Sequence, residues 1–158
     1  MAAVVETRPV DRAERNWRRA ATWSVDITAA LHVTVGLDHL QHSTVFAAFF
    51  FAVAMAQAGL GERLRRAGAQ GMPAAGVAGT VALLLLYLLT RLTVLPLHAF
   101  NDRPEATDVL GMLVVCLELI TVAALAALAG GRRRARLLDG VLLVGLGVWA
   151  AWLTGILA

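Results

Sequence analysis

Apolar residues along this chain come in long blocks rather than in alternation. Runs dominated by Ala, Leu, Val and Phe occupy about residues 20–37, 44–60, 74–97, 109–129 and 137–157. Each approaches the ~20 helical residues that cross ~30 Å of hydrocarbon. Inside a bilayer the backbone must satisfy its own hydrogen bonds, which a helix does. The pattern therefore predicts an all-α, polytopic transmembrane helix bundle of about five spans. The first span contains Asp26 and His32 and is the least apolar, so its polar stripe is expected to face other helices. The second is short, with Ser43 or Thr44 able to cap its start and Gly59 and Gly61 marking its end.

The polar breaks between the blocks carry the sidedness. All 14 basic residues are arginine, and most fall in three clusters: Arg8, Arg12, Arg15, Arg18 and Arg19; Arg63, Arg65 and Arg66; Arg132, Arg133, Arg134 and Arg136. Arginine beside an apolar segment holds that loop on the cytoplasmic side, and these clusters alternate correctly if the amino terminus is cytoplasmic. Residues 1–19 then form a cytoplasmic amphipathic leader, with Trp17 and Trp23 as headgroup-level anchors. They have no apolar centre of a cleavable signal, so the first span is expected to direct insertion. The isoelectric point near 10.4 and net charge of +3 reflect topology rather than nucleic-acid binding. The expected location is the cell membrane, multi-pass, with the Asp38–Ser43 turn and the His98–Asp108 loop extracytoplasmic. The lone cysteine, Cys116, excludes an intramolecular disulfide and a CxxC motif, and reads as a small core residue.

That outer side gathers all four histidines, together with Asp38, Asp102, Glu105 and Asp108. His39 and His42 are spaced i, i+3, and Asp38 and His42 i, i+4, so one helical turn points all three to one side. Imidazole and carboxylate suit copper or zinc. A metal set of Asp38, His39 and His42, completed by His98 or Glu105, is the expectation for an extracytoplasmic transition-metal site. A structural role, with the histidines bonding headgroups or capping a helix, competes with it. Haem on His32 and His98 is disfavoured because His98 sits too near the loop.

Arg91 and Glu118 are the charges set deepest in apolar spans. A buried pair between spans three and four is expected, either as a packing clamp or as part of a proton or ion path with Asp26 and His32 as further buried polar groups. No Gly-x-Ser-x-Gly, His-Glu-x-x-His or Gly-x-x-x-x-Gly-Lys motif occurs, which leaves hydrolytic and nucleotide-driven chemistry without support and the question of enzymatic activity open.

Two resemblances accompany these readings. The Asp38-x-x-x-His42 spacing resembles part of the copper site in the third subunit of copper membrane monooxygenases. There a further histidine follows thirteen residues on, where this chain has Met55; the likeness covers five residues and implies no oxidation chemistry. More broadly, His32, His39 to Ser43, Phe49-Phe50, Gln57, Arg91 to Pro96, Pro104-Glu105, Gly111 and Glu118 resemble a pattern in small integral membrane proteins of high-GC bacteria, across roughly residues 25 to 125. That resemblance implies the fold and membrane residence and no activity. The expected function is a membrane protein with an outer copper or zinc site. The alternatives are a non-catalytic accessory subunit, packed as a homo-oligomer or in a membrane protein complex through faces such as Gly147-x-x-x-Ala151, or a small proton or ion transporter using Arg91 and Glu118.

Overall fold

A computed structural model of the chain describes residues 12–66, 72–92 and 108–154. Among them lie five helices and no strand: α1 (Arg12–His39), α2 (Thr44–Arg66), α3 (Met72–Leu92), α4 (Val109–Ala129) and α5 (Gly131–Leu153). α2, Pro73–Leu92 of α3, and α4 are each long and apolar enough to cross a membrane. In α1 the apolar half is diluted by Ser24, Asp26, Thr28 and His32.

The helices start and stop for local reasons. Arg12–Arg19 form the first part of α1, continuous with the apolar half and supported by the i, i+4 pair Arg18–Glu14 at 2.6 Å. At the other end the His39 carbonyl accepts from the amides of His42 (3.0 Å) and Ser43 (2.7 Å), closing a short turn. Ser43 rather than Thr44 then caps α2: its carbonyl accepts from the Ala47 amide and its hydroxyl faces the Phe46 amide. Gly59 and Gly61 do not end α2, which continues through Arg66; glycine only weakens a helix, and Glu62 with Arg65 and Arg66 supports the last turns. Asp108 caps α4 by accepting from the Gly111 amide at 2.6 Å. The break between α4 and α5 narrows to Gly130, since Gly130 and Gly131 both take positive φ (61° and 46°). That reversal needs no side chain, so Arg132–Arg136 lie on the first turns of α5 rather than in a loop.

Paired residues give the order of the bundle. His39 packs on Phe46 and Phe50, His32 reaches Gln57, and Asp26 meets Arg65, so α1 and α2 form an antiparallel hairpin. Ser24 touches Thr121 of α4 while His32 lies near the level of Glu118, so α4 also runs against α1. α3 and α4 are antiparallel too, with Gly76 against Leu125 and Tyr87 against Gly111. The end holding His39 and His42 is therefore the end where α4 begins, and the arginine clusters of α1, α2 and α5 share the opposite end. α4 is central, touching α1, α3 and α5. An apolar core of Ala21, Leu64, Val77, Val122, Ala124 and Leu125 fills the half nearer the arginines.

Beside that core, polar groups are buried and large apolar side chains face outward. Buried positions include Ser24, Thr28, His32, Gln57, Thr80, Glu118 and Thr121, while Val45 is 75%, Met55 70% and Val109 88% exposed. In water that distribution is unfavourable on both counts; in lipid it is the expected one. Cys116 is exposed on the outside of α4 rather than in the core.

Close helix approach relies on small residues. The buried face of α1 runs Ala21, Ser24, Val25, Thr28, Ala29, His32, Gly36, one helical stripe. At Gly36 a Cβ would sit 2.9 Å from the Phe51 ring, whereas at Gly59 it would meet nothing within 4 Å. Gly36→Ala is expected to destabilise the protein by about 1–3 kcal/mol and Gly59→Ala to leave it unchanged or up to ~1 kcal/mol more stable. Melting of the two variants in detergent checks this pair, and equal effects would contradict the packing described.

Candidate functional site

Three helices bring a chain of polar groups into the interior. Glu118 comes from the middle of α4 and is 2% exposed. Gln57 lies on the buried stripe of α2, which repeats as Ala47, Ala54, Gln57, Gly61 and Leu64. His32 lies on the buried stripe of α1. The Gln57 carboxamide joins the other two: its Oε1 accepts from His32 Nδ1 at 2.8 Å, and its Nε2 donates to Glu118 Oε1 at 3.4 Å. In this orientation the amide serves both neighbours at once. That orientation requires His32 to carry its proton on Nδ1. The His32 ring also stacks on Phe50, with centroids 5.9 Å apart and planes 21° from parallel.

One layer toward the arginine end, the hydroxyls of Ser24 and Thr121 meet at 2.8 Å. The Thr28 hydroxyl donates to the Ser24 carbonyl, and that of Thr121 lies 3.0 Å from the Leu117 carbonyl. Three residues separate Glu118 from Thr121, about 4.5 Å along the axis. The interface of α1 with α4 is thus polar over two successive layers.

This arrangement tolerates a change of proton count. Histidine donates from Nδ1 both as this neutral tautomer and as imidazolium, and Glu118 Oε1 accepts both as carboxylate and as the carbonyl oxygen of the acid. Neither event requires a hydrogen bond of the chain to break. Gln57 holds both groups without titrating, so its role is positioning.

No protein-family model matches the chain, and no curated protein and no solved structure matches it. What the site can do is decided by its own chemistry.

The groups expected from sequence are distributed differently. Glu118 and His32 do join one buried network, through Gln57 rather than Arg91. Arg91 stands over the Tyr87 ring at 4.5 Å, and among the described residues no ion pair joins it to Glu118. The physical reason is orientation: α4 turns Glu118 toward α1 and α2, while Tyr87 and Arg91 lie at the far end of α3 beside the start of α4. Asp26 is not part of the buried network either; it pairs with Arg65, which also holds Glu62 at 3.1 Å, at the arginine end.

At the opposite end, His39 Nδ1 donates to the Val35 carbonyl at 2.9 Å and its ring lies 4.9 Å from that of Phe50. Asp38 and His42 are exposed. Among the described residues no three His, Cys, Asp or Glu side chains gather closely enough to hold a metal ion. His98, Asp102 and Glu105 lie outside the described residues, as do the side chains of Trp149, Ala151 and Trp152.

Gln57 is the member that sequence reasoning did not single out as chemical. The available signal was periodicity: Ala47, Ala54 and Gly61 recur every seven residues, with Gln57 and Leu64 completing the same face. A carboxamide on the small-residue face of a span is placed to meet another helix.

Proposed function

We propose that this is a five-span membrane protein with a cytoplasmic amino terminus, in which Glu118 acts as a membrane-buried proton carrier and His32 as its partner group. The observation that carries this reading is the His32–Gln57–Glu118 chain. Ionisable groups are expensive inside a bilayer and mark proton or ion paths when they face the bundle interior. A purely structural lock needs no titratable members; Ser24 with Thr121 already supplies one between α1 and α4. Two titratable side chains, a carboxyl and an imidazole, held at one buried level support proton carriage instead.

The test is proton movement in liposomes holding a pH-sensitive dye and the purified protein, driven by a potassium diffusion potential. Dye response well above that of protein-free vesicles is expected. A response equal to protein-free vesicles, with a stable partner co-purifying, overturns the reading in favour of a non-catalytic accessory subunit.

The topology is checked separately in a Cys116→Ser background. Gln41→Cys is expected to react with a membrane-impermeant maleimide added outside intact cells, and Arg133→Cys only after the membrane is opened. The reverse pattern would invert the protein without altering the bundle.

A further inference from the structure

Where α1 passes α2 at the arginine end, a cleft of about 520 Å³ opens between them. Arg15, Arg18 and Arg19 line it from α1 and Arg65 from α2, with Trp23 at its side and Asp26 as its carboxylate. Arg18 pairs with Glu14, and Arg65 with Asp26 and Glu62. Four guanidinium groups and one carboxylate line the cleft. Its height is set by α2, whose apolar run ends at Gly61, so Arg65 stands immediately beyond the hydrocarbon. Trp23, 68% exposed, is the kind of side chain that settles at the membrane–water interface.

Guanidinium groups bind phosphate oxygens through paired, planar N–H donors. Basic pockets at the cytoplasmic ends of membrane helices recognise phospholipid headgroups by this chemistry. We infer that the cleft between α1 and α2 binds a phosphate group, presented by an anionic phospholipid of the adjoining leaflet. Arg15 and Arg19 contact the phosphate, and Trp23 packs beside the glycerol backbone. The inference is independent of proton carriage by Glu118.

Arginine at this end also fixes topology, so the test must keep charge while removing the guanidinium fork. Arg15→Lys/Arg19→Lys does so, and Arg132→Lys/Arg133→Lys on the exposed start of α5 is its control. The probe is phosphatidylglycerol added to protein purified in phosphatidylcholine nanodiscs, with bound lipid counted by native mass spectrometry. One phosphatidylglycerol retained per chain is expected, with affinity about tenfold weaker in the first variant and unchanged in the control. Equal loss in both variants reduces the effect to general charge and overturns the site, as does full retention in the first. A parallel arm adds inorganic phosphate: failure to displace the lipid supports a membrane source, and displacement at matched concentration overturns it. Unchanged melting of the first variant is required alongside, since it shows that α1 and α2 still pack.

Discussion

Glu118→Gln is expected to lower proton flux in liposomes at least tenfold, with little change in melting temperature. Glutamine has nearly the size of glutamate and keeps an oxygen that accepts from the Gln57 amide, so the 3.4 Å contact survives. What it loses is the ability to take up and release a proton. Each ~1.4 kcal/mol added to the limiting barrier slows a step tenfold, so removing the Glu118 carboxyl lowers the flux by at least that factor. A structural role predicts the opposite ranking: Glu118→Gln neutral in every assay, and Glu118→Ala harmful only through stability. Flux through Glu118→Gln equal to the native rate would therefore end the carrier proposal while leaving the fold untouched.

Gln57→Leu is expected to destabilise the protein by about 2–4 kcal/mol. The carboxamide makes two hydrogen bonds in the interior, and intramembrane bonds of this kind average ~0.6 kcal/mol each, about 1 kcal/mol together. The larger part comes from what remains. Glu118 and His32 are buried, and a buried polar group left without its partner adds ~1–3 kcal/mol. Replacing all three members by leucine removes the stranded groups as well, so His32→Leu/Gln57→Leu/Glu118→Leu is expected to recover most of the loss. Equilibrium unfolding in mixed micelles measures both. A single-variant loss below ~1 kcal/mol, or a triple variant much worse than the single, would show that the chain is not coupled in the way its geometry implies.

Together these two substitutions separate positioning from proton transfer. Gln57 affects stability first and flux through displacement of its neighbours; Glu118→Gln affects flux alone. Loss of flux in both with loss of stability in both would instead fit one packing defect.

The block pattern of apolar residues was enough to reach an all-helical chain with spans of membrane length, because hydrocarbon leaves the backbone so few alternatives. It misjudged the ends of the helices. Arg132–Arg136 read as a turn by polarity, yet they continue into α5, since arginine is a good helix former and polarity marks the membrane boundary rather than the helix boundary. The cap at Ser43 was local and readable.

The site was legible in its members more than in its pairings. Depth along the chain identified Glu118, His32 and Arg91 as unusual, because one charge in a span stands out whatever surrounds it. Which of them meet depends on the rotation of each helix about its axis, and that is settled by close packing: Ser24 against Thr121 of α4, Gly36 under Phe51, Gly76 under Leu125. Those contacts turn Glu118 toward Gln57 and away from Arg91. The sequence by itself determined that polar groups would be buried in a membrane-length bundle; tertiary packing alone decided that a neutral carboxamide, not an arginine, stands between the imidazole and the carboxyl.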